Sequence, residues 1–366
     1  MNSITVTTHS SYNYGGVLQA YALQKYQESL GIDNKLLQLP ILRQRYSKIQ
    51  TQNLKKFLLS IYSNINAFIY KKDGIELRRK FDEFVKEELK VTELFETKDR
   101  LYKYPPEADF YVCGSDQVFS VRNRQAYARM LEWVPKGKKK YSYAASLGEY
   151  DWSEEEKERF GTIVDSFDGI SVREPYAKTI ITPLTNRDIQ THLDPVFLLE
   201  PKEYDRISKK KTDIEPYILV YPLISNKAMQ ELIDKSKSEL GLKTVSIRVS
   251  RKIKYKCDEY IYDAGPKEFI ELLRNASAVI TTSFHGVALS CLFNIPFYVL
   301  IKDFKSQRIT DLLERFHLSD RVYKTSDTRL SFEMNFKRVN DEISLGRDEA
   351  RSYFEQIKAE VLKNHG

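Results

Sequence analysis

Residues 3–32 read SITVTTHSSYNYGGVLQAYALQKYQESLGI, and this stretch contains the repeating unit of the fold. It begins with a short β-rich run and passes through a polar loop that contains Asn13, Gly15 and Gly16. The segment that follows has apolar residues at every fourth position. Because a spacing of four places side chains on one face of an α-helix, the stretch predicts a strand, a glycine turn and a helix.

The same unit recurs along the chain. Apolar runs that end in small polar loops occur at 108–119 (ADFYVCGSDQVF), 141–148 (YSYAASLG) and 169–174 (GISVRE). A second set of apolar runs follows residue 216, with helical segments between them: YILVYPL, LKTVSIRVS, SAVITTS and PFYVLI. Short apolar strands that alternate with helices are typical of parallel sheets covered on both faces. The sequence therefore predicts an α/β protein with two halves of similar plan.

The length of 366 residues allows two domains, each with a core of its own. Prolines and a lysine run near residues 200–216 favour a domain boundary there. We expect a first domain at 1–205, with a basic helical insertion at about 40–104, and a second domain at 206–335. A helical segment at 336–366 is expected to pack back on the domains.

The composition, with 42% hydrophobic and 30% charged residues, is that of a chain that folds throughout. The amino terminus does not resemble a signal peptide, and no run of eighteen apolar residues occurs. We therefore expect a cytoplasmic location. The three cysteines, Cys113, Cys257 and Cys291, are odd in number and far apart, which predicts neither a disulfide framework nor a zinc site.

The net charge of +7 is concentrated in one segment. Residues 35–103 contain 16 basic and 9 acidic side chains. Such a segment favours anionic lipid or a phosphorylated substrate as a partner, and no nucleic-acid motif accompanies it. Within it, residues 54–70 have apolar side chains on one helical face, between lysine pairs. This stripe either lies on a membrane surface or packs on the core of the protein, and both interpretations stay open.

Residues 279–296 read VITTSFHGVALSCLFNIP and place a histidine between an apolar strand and an apolar helix. Ser283 is suited to cap the helix, so His285 falls in the first turn beside unpaired backbone N–H groups. Such a helix end attracts anions, and a bound anion would favour a protonated imidazole that donates its proton. The alternative is a histidine that only caps or packs at a helix start.

Basic side chains follow two other predicted strands. Arg173 stands at the end of GISV, where its guanidinium would be suited to bind carboxylate or phosphate with two hydrogen bonds. Its alternative role is a salt bridge to Glu174. Lys302, Lys305 and Arg308 come after PFYVLI, at a position that a solvated helix start would also explain.

Polar loops complete the candidate site, because ligands of parallel sheets bind beyond the carboxyl ends of the strands. The loops at 13–16 and 114–116 are suited to bind phosphate or sugar hydroxyls. No P-loop, well-formed dinucleotide fingerprint or metal-ligand cluster occurs, so neither a cofactor nor a metal is predicted. The predicted substrate-binding residues are Asn13, Gly15, Gly16, Ser115, Asp116, Ser146, Ser283, Gly286, Lys305 and Arg308.

Taken together, six motifs resemble the polysaccharide pyruvyl transferase family over about residues 4–315. They are NYGGVLQAYALQ, DFYVCGSDQVF, YSYAASLG, DGISVRE, LDPVFLL and ITTSFHGVALSCLFNIPFY. The resemblance implies two Rossmann-like domains that face each other across a cleft, as in the GT-B glycosyltransferases. It also implies transfer of the enolpyruvyl carbons of phosphoenolpyruvate onto a sugar, as a cyclic ketal, with release of phosphate.

The resemblance assigns the histidine of the strand-to-helix motif to His285 and the strand-end arginine to Arg173. Two residues depart from the pattern. Phe119 stands where many relatives have tryptophan, and Phe284 precedes the histidine where some members carry an R-L-H motif. The implied chemistry has His285 donate a proton to the enol methylene or to the departing phosphate, while arginines and backbone dipoles bind the donor.

Two other function classes remain open. The first is a glycosyltransferase that uses a nucleotide-sugar, for which Asp263 or Glu268 would bind the ribose. The second is a non-catalytic glycan-binding protein, which would keep its function after His285→Ala. The basic segment predicts a lipid-pyrophosphate-linked sugar as acceptor and peripheral contact with the inner membrane face.

Overall fold

The computed structural model describes most of the chain. The described residues are 1–40, 71–123, 125–148, 151–208, 211, 213–224, 228–247, 255–301, 307–324 and 328–363. The predicted apolar helix at 54–70 and the predicted site residue Lys305 lie outside the described residues.

The first sheet has five parallel strands in the order β3-β2-β1-β4-β5. These strands are β1 (Asn2–Val6), β2 (Asp33–Gln38), β3 (Val91–Leu94), β4 (Phe110–Cys113) and β5 (Lys139–Ser142). Every residue of β4 is buried, which explains why it is apolar throughout rather than alternating. A parallel pair, β6 (Ile170–Val172) and β7 (Ile189–Thr191), continues from β5 through two isolated bridges.

The second sheet repeats this topology, with five parallel strands in the order β10-β9-β8-β11-β12. Its strands are β8 (Tyr217–Tyr221), β9 (Lys243–Ile247), β10 (Glu259–Ile261), β11 (Ala278–Thr281) and β12 (Phe297–Val299). Counted in chain order, both sheets have the arrangement 3-2-1-4-5, which is Rossmann-like. The predicted α/β class with two Rossmann-like halves is confirmed.

Helices connect and cover the strands. In the described residues they are α1 (Tyr14–Ser29), α2 (Lys71–Glu88), α3 (Lys98–Lys103), α4 (Ala126–Arg129), α5 (Glu154–Asp165), α6 (Pro175–Ile181), α7 (Met229–Leu240), α8 (Pro266–Arg274), α9 (Phe284–Leu292), α10 (Gln307–Arg315) and α11 (Lys337–Lys363). None of these helices is both long and apolar enough to cross a membrane. We call the first sheet with β6 and β7 and their helices the first lobe, and the second sheet with its helices the second lobe.

The two lobes are in direct contact. The hydroxyl of Tyr14 in α1 donates to the carbonyl of Ala264 at 2.6 Å, and its ring stacks on Phe269 of α8 with centroids 4.4 Å apart. Beside this contact, Lys80 of α2 pairs with Glu268 at 3.0 Å. One cluster of buried apolar side chains runs through both lobes, so the core is continuous across the junction.

The terminal helix α11 crosses back onto the first lobe. The hydroxyl of Tyr353 donates to the carbonyl of Ser142 at 2.9 Å. Phe354 is fully buried and lies with its ring 5.7 Å from that of Tyr26 in α1. The helix therefore packs against both α1 and β5.

Candidate active site

The side chains at the carboxyl ends of several strands meet where the lobes touch. Arg173 follows β6, Asp194 lies beyond β7, and His285 stands in the first turn of α9 after β11. Asp116 follows β4 of the first sheet. Residues far apart in sequence converge here because parallel strands point their carboxyl ends to the same edge.

Arg173 is held in place by two carboxylates and one aromatic ring. Its Nε donates to Glu174 at 2.8 Å and its Nη1 donates to Asp194 at 2.6 Å. The guanidinium carbon lies 4.2 Å from the centre of the Phe284 ring, a cation–π contact from the second lobe. Burial would lower the pKa of Arg173, but Glu174, Asp194 and Asp116 outweigh burial and raise it. Its remaining nitrogen, Nη2, is buried without a hydrogen-bond partner.

The predicted alternative for Arg173, a salt bridge to Glu174, is thus present. It does not remove Arg173 from the junction, because the same guanidinium reaches Asp194 and covers Phe284. The side chain is 3% exposed. A buried arginine with one unpaired N–H is poised to bind an anion.

Asp194 is a central residue that the sequence analysis did not single out. Its side chain is fully buried, and Oδ2 bonds Arg173 while lying 3.5 Å from Nε2 of His285. Oδ1 accepts the backbone N–H of Val196 at 3.1 Å. Burial alone would raise the pKa of this carboxyl, but His285, Arg173 and the Val196 N–H lower it to about 2. Asp194 is therefore an anion that faces both candidate catalytic side chains.

A local signal for Asp194 exists in the sequence. The aspartate stands in LDPVFLL, one residue before a proline, soon after strand β7. An aspartate in that place is also a common cap, and Asp194 does cap the short 3₁₀ helix Pro195–Phe197. Only the fold shows that its other carboxylate oxygen, Oδ2, bonds Arg173 and faces His285.

His285 lies between the lobes. An ideal Cβ built on Gly15 of the first lobe would lie 2.0 Å from Nδ1 of His285, so the ring sits directly on the glycine backbone. The residue is 7% exposed, and Nε2 is buried without a hydrogen bond, since the 3.5 Å approach to Asp194 has poor geometry. The imidazole is thus enclosed by both lobes rather than packed inside one.

Helix α9 begins where the sequence predicts. The Ser283 hydroxyl accepts the N–H of Gly286 at 3.3 Å, as a helix cap. A Cβ on Gly286 would lie 2.4 Å from the Thr281 hydroxyl, which is why a glycine stands there. Ser283 and Gly286 therefore shape the helix start that carries His285.

The loop after β4 meets α10 across the junction. A carboxylate oxygen of Asp116 lies 4.0 Å from Nη1 of Arg308, and its other oxygen accepts the Thr8 hydroxyl at 2.7 Å. With its amide oxygen turned toward α10, Gln117 accepts from both terminal nitrogens of Arg308 at 2.9 and 3.0 Å. Burial would raise the pKa of Asp116, but Arg173, His285 and the other donors lower it. Burial and the nearby Arg173 lower the pKa of Arg308.

A small cavity lies beside these groups. Its volume is about 30 Å³, and it is lined by Arg173, Asp194, Phe284 and Arg308 among others. This space fits about one water molecule. A ligand larger than water therefore does not fit this cavity as it stands.

The other predicted site residues are placed near the junction but serve local structure. Asn13 caps α1 by accepting the N–H of Gly16 at 3.1 Å. The Ser115 hydroxyl donates to the carbonyl of Ala144 at 2.6 Å, and that of Ser146 accepts the N–H of Gly148 at 3.2 Å. Both serines are fully buried, so a ligand role for their hydroxyls remains a prediction.

A family model described as polysaccharide pyruvyl transferase matches residues 13–302. The chain belongs to the polysaccharide pyruvyl transferase family. The matched range includes Arg173, Asp194, His285 and every strand of both sheets except β1, and it ends before Arg308. The comparison with curated proteins found no match.

Solved structures with a similar fold include three sugar-processing enzymes. The UDP-GlcNAc 2-epimerase from Neisseria meningitidis, bound to UDP-GlcNAc, is 11% identical over 100% of both chains, with a TM-score of 0.51. Arabidopsis thaliana UGT89C1 complexed with UDP is 11% identical over 95% of this chain and 94% of its own, with a TM-score of 0.48. The E. coli heptosyltransferase WaaC with ADP is 12% identical over 94% and 100%, with a TM-score of 0.45. The likeness to the epimerase shows a shared two-domain fold and nothing about the reaction.

Proposed function

We propose that this protein transfers the enolpyruvyl carbons of phosphoenolpyruvate to a sugar of a glycan precursor, as a pyruvate ketal, with release of phosphate. The observation that carries the proposal is the meeting of Arg173, His285 and Arg308 at the junction of two Rossmann-like lobes. Membership of the family supports a pyruvyl transferase. The identity of the donor as phosphoenolpyruvate and the roles of the individual residues are what we propose beyond that.

The donor carries a phosphate and a carboxylate, so it needs at least two cationic or N–H-rich contacts. In the proposed complex, Arg173 contributes its unpaired Nη2, and Arg308 approaches from the second lobe. The starts of α1 and α9 add backbone dipoles that favour negative charge. Because the present cavity holds about one water molecule, the donor enters with the lobes apart and is enclosed when they close.

In the proposed reaction, His285 donates a proton to the methylene carbon of the donor, which leaves an oxocarbenium-like carbon at C2. A sugar hydroxyl attacks that carbon and returns its proton to the imidazole. The imidazole next protonates the departing phosphate as the C2–O bond to phosphate breaks. A second hydroxyl then attacks C2 and passes its own proton to the imidazole, which restores the protonated ring. Asp194 holds Arg173 and faces His285 throughout.

A nucleotide-sugar transferase is less well supported. The two acidic residues suggested for ribose binding are engaged elsewhere, since Lys80 lies 3.0 Å from Glu268 and 3.6 Å from Asp263. Glu268 also accepts the N–H of Gly265 at 3.0 Å, at the start of α8. Both carboxylates thus stabilise the contact between the lobes.

Purified protein incubated with phosphoenolpyruvate and a panel of sugars tests the proposal. We expect phosphate release that depends on the sugar, together with a product heavier by one pyruvate ketal. His285→Gln should abolish both, while His317→Gln, at an exposed histidine bonded to Arg338, should leave both unchanged. Transfer from a nucleotide-sugar instead would establish the glycosyltransferase, and full activity of His285→Gln would exclude the mechanism.

We also propose that the acceptor is carried on a lipid pyrophosphate at the inner membrane face. The support is the excess of basic residues between Lys35 and Lys103. Sedimentation with anionic liposomes, comparing the wild type with a variant in which Lys55, Lys56, Lys71 and Lys72 are glutamine, tests this. Loss of binding in the variant supports the membrane contact, and equal partitioning removes it.

A further inference from the structure

Arg173 and Arg308 line the same small cavity, and the structure holds their guanidinium groups in different ways. Arg173 is paired with two carboxylates, those of Glu174 and Asp194, at 2.8 and 2.6 Å. Among the residues that the structure describes, no carboxylate lies within hydrogen-bond distance of Arg308, since Oδ1 of Asp116 is 4.0 Å from its Nη1. The charge of Arg308 is therefore less fully neutralised than that of Arg173.

The side chain that holds Arg308 is neutral. The amide oxygen of Gln117, turned toward α10, accepts from Nη1 at 2.9 Å and from Nη2 at 3.0 Å. A guanidinium carries five N–H groups, so these two bonds leave three of them for another acceptor. Gln117 thus fixes the plane of the guanidinium without supplying a negative charge.

The loops after β4 and β5, which contain the motifs GSDQVF and YSYAASLG, hold Gln117 in turn. The N–H of Ser146 donates to the carbonyl of Asp116 at 3.0 Å, so the two loops are joined beside Gln117. Gly148 lies against the amide group, because a Cβ built on it would be 3.0 Å from Cδ of Gln117. The backbone of both loops therefore determines where the amide points.

We propose that Gln117 is a positioning residue for the anionic donor: its neutral amide orients Arg308 at the cavity and leaves the charge of that arginine for the phosphate of the donor. A carboxylate at position 117 would hold the guanidinium at least as firmly, but it would also neutralise it. Arg173, which already has two carboxylate partners, contributes its single unpaired Nη2. This inference rests on the proposed function for the identity of the donor as phosphoenolpyruvate.

Gln117→Glu separates positioning from structural support. If Gln117 only supported the fold, the variant would keep both its Tm and its affinity for the donor, because an arginine–carboxylate pair preserves the contact. We expect instead that Tm is kept or raised while phosphoenolpyruvate binds at least about 10-fold more weakly in calorimetry, since the new carboxylate competes for Arg308. Gln356→Glu, at an exposed position of α11, adds the same charge away from the site and should bind as the wild type does.

Gly148→Ala tests the same arrangement without a change of charge. Its methyl group would displace the amide of Gln117, so phosphoenolpyruvate should bind about 3- to 10-fold more weakly, as in Gln117→Ala. Gly148 has a φ of +72°, so alanine is also strained there. Gly137→Ala is the matched control, because Gly137 has a φ of +86° and a Cβ on it would meet nothing within 4 Å. Both variants should lose stability, and only Gly148→Ala should lose affinity.

Steady-state transfer adds a readout that general damage would not give. In Gln117→Glu, KM for phosphoenolpyruvate should rise while KM for the sugar stays that of the wild type. Wild-type affinity of Gln117→Glu for the donor would overturn the proposal, and so would equal losses of affinity in Gly148→Ala and Gly137→Ala.

Inorganic phosphate and uridine diphosphate, titrated in parallel, separate this inference from the proposed function. If phosphoenolpyruvate does not bind the wild type but one of these anions binds and depends on Gln117, the proposed donor fails and the positioning of Arg308 stands. If phosphoenolpyruvate is bound and transferred without dependence on Gln117, the positioning fails and the function stands. Absence of binding by all three anions would exclude both.

Discussion

A methyl group on Gly15 should block the approach of the two lobes. An ideal Cβ there lies 2.0 Å from Nδ1 and 2.4 Å from Cγ of His285. Non-bonded carbon and nitrogen atoms need roughly 3.5 Å, so Gly15→Ala creates an overlap of about 1.5 Å. The overlap is relieved only if the imidazole leaves its place beside Asp194 or the lobes separate.

The size of the effect follows from the location of the clash. Overpacking of a tight contact typically costs about 1–3 kcal/mol, which corresponds to roughly a 5- to 150-fold change in an equilibrium constant. Within α1 itself, alanine is the better helix former by up to about 1 kcal/mol, so the first lobe keeps its stability. We therefore expect kcat/KM for pyruvyl transfer to fall by roughly 10- to 100-fold, with little change in Tm.

The assay combines steady-state transfer with small-angle X-ray scattering, which reports closure of the lobes in the presence of phosphoenolpyruvate. Gly74→Ala in α2 is the matched control, because a Cβ at that glycine would meet nothing within 4 Å. In a His285→Ala background the ring is gone, so the second change at Gly15 should no longer hinder closure. Wild-type activity of Gly15→Ala, or equal losses in Gly15→Ala and Gly74→Ala, would refute the reasoning.

Further predictions concern the groups that face Arg173. Asp194→Asn removes one of the two buried carboxylates that pair with Arg173, so chemical denaturation should show a loss of about 3–5 kcal/mol, and a loss below about 1 kcal/mol would contradict the ion-pair network. Because the pKa of Asp194 is lowered to about 2, its stabilising effect is full above about pH 4 and declines as pH falls toward 2; the Tm of Asp194→Asn should therefore depend less on pH over that range than that of the wild type. Phe284→Leu removes a desolvated cation–π contact and should weaken phosphoenolpyruvate binding by roughly 5- to 30-fold in calorimetry, whereas Phe284→Tyr should bind nearly as the wild type does.

The contact between Phe284 and Arg173 also explains one departure from the family pattern. At this position an aromatic ring covers the guanidinium and lies edge-on to His285, with ring centroids 5.1 Å apart. The ring thus supports both side chains without adding a cation. Phe119, the other departure, is fully buried between Phe160 and Phe167, so it fills the core of the first lobe.

The sequence by itself determined the class of fold and the local form of the site. Apolar runs, glycine turns and periodic helices are short-range features, so they predicted two parallel α/β sheets. The cap at Ser283 and the position of His285 in the first turn of a helix followed from neighbours three residues apart. The sequence also predicted that Arg173 ends a strand, because the apolar run GISV directly precedes it.

The tertiary structure alone decided which of these local features meet. In the sequence Asp194 indicates only a helix cap. In the structure its Oδ2 pairs with Arg173, because β6 and β7 end side by side. The sequence indicates only that Gly15 belongs to a turn. In the structure its backbone packs against the imidazole of His285. Such contacts depend on how two separately predictable sheets are packed against each other, and no periodicity or spacing along the chain encodes that packing directly.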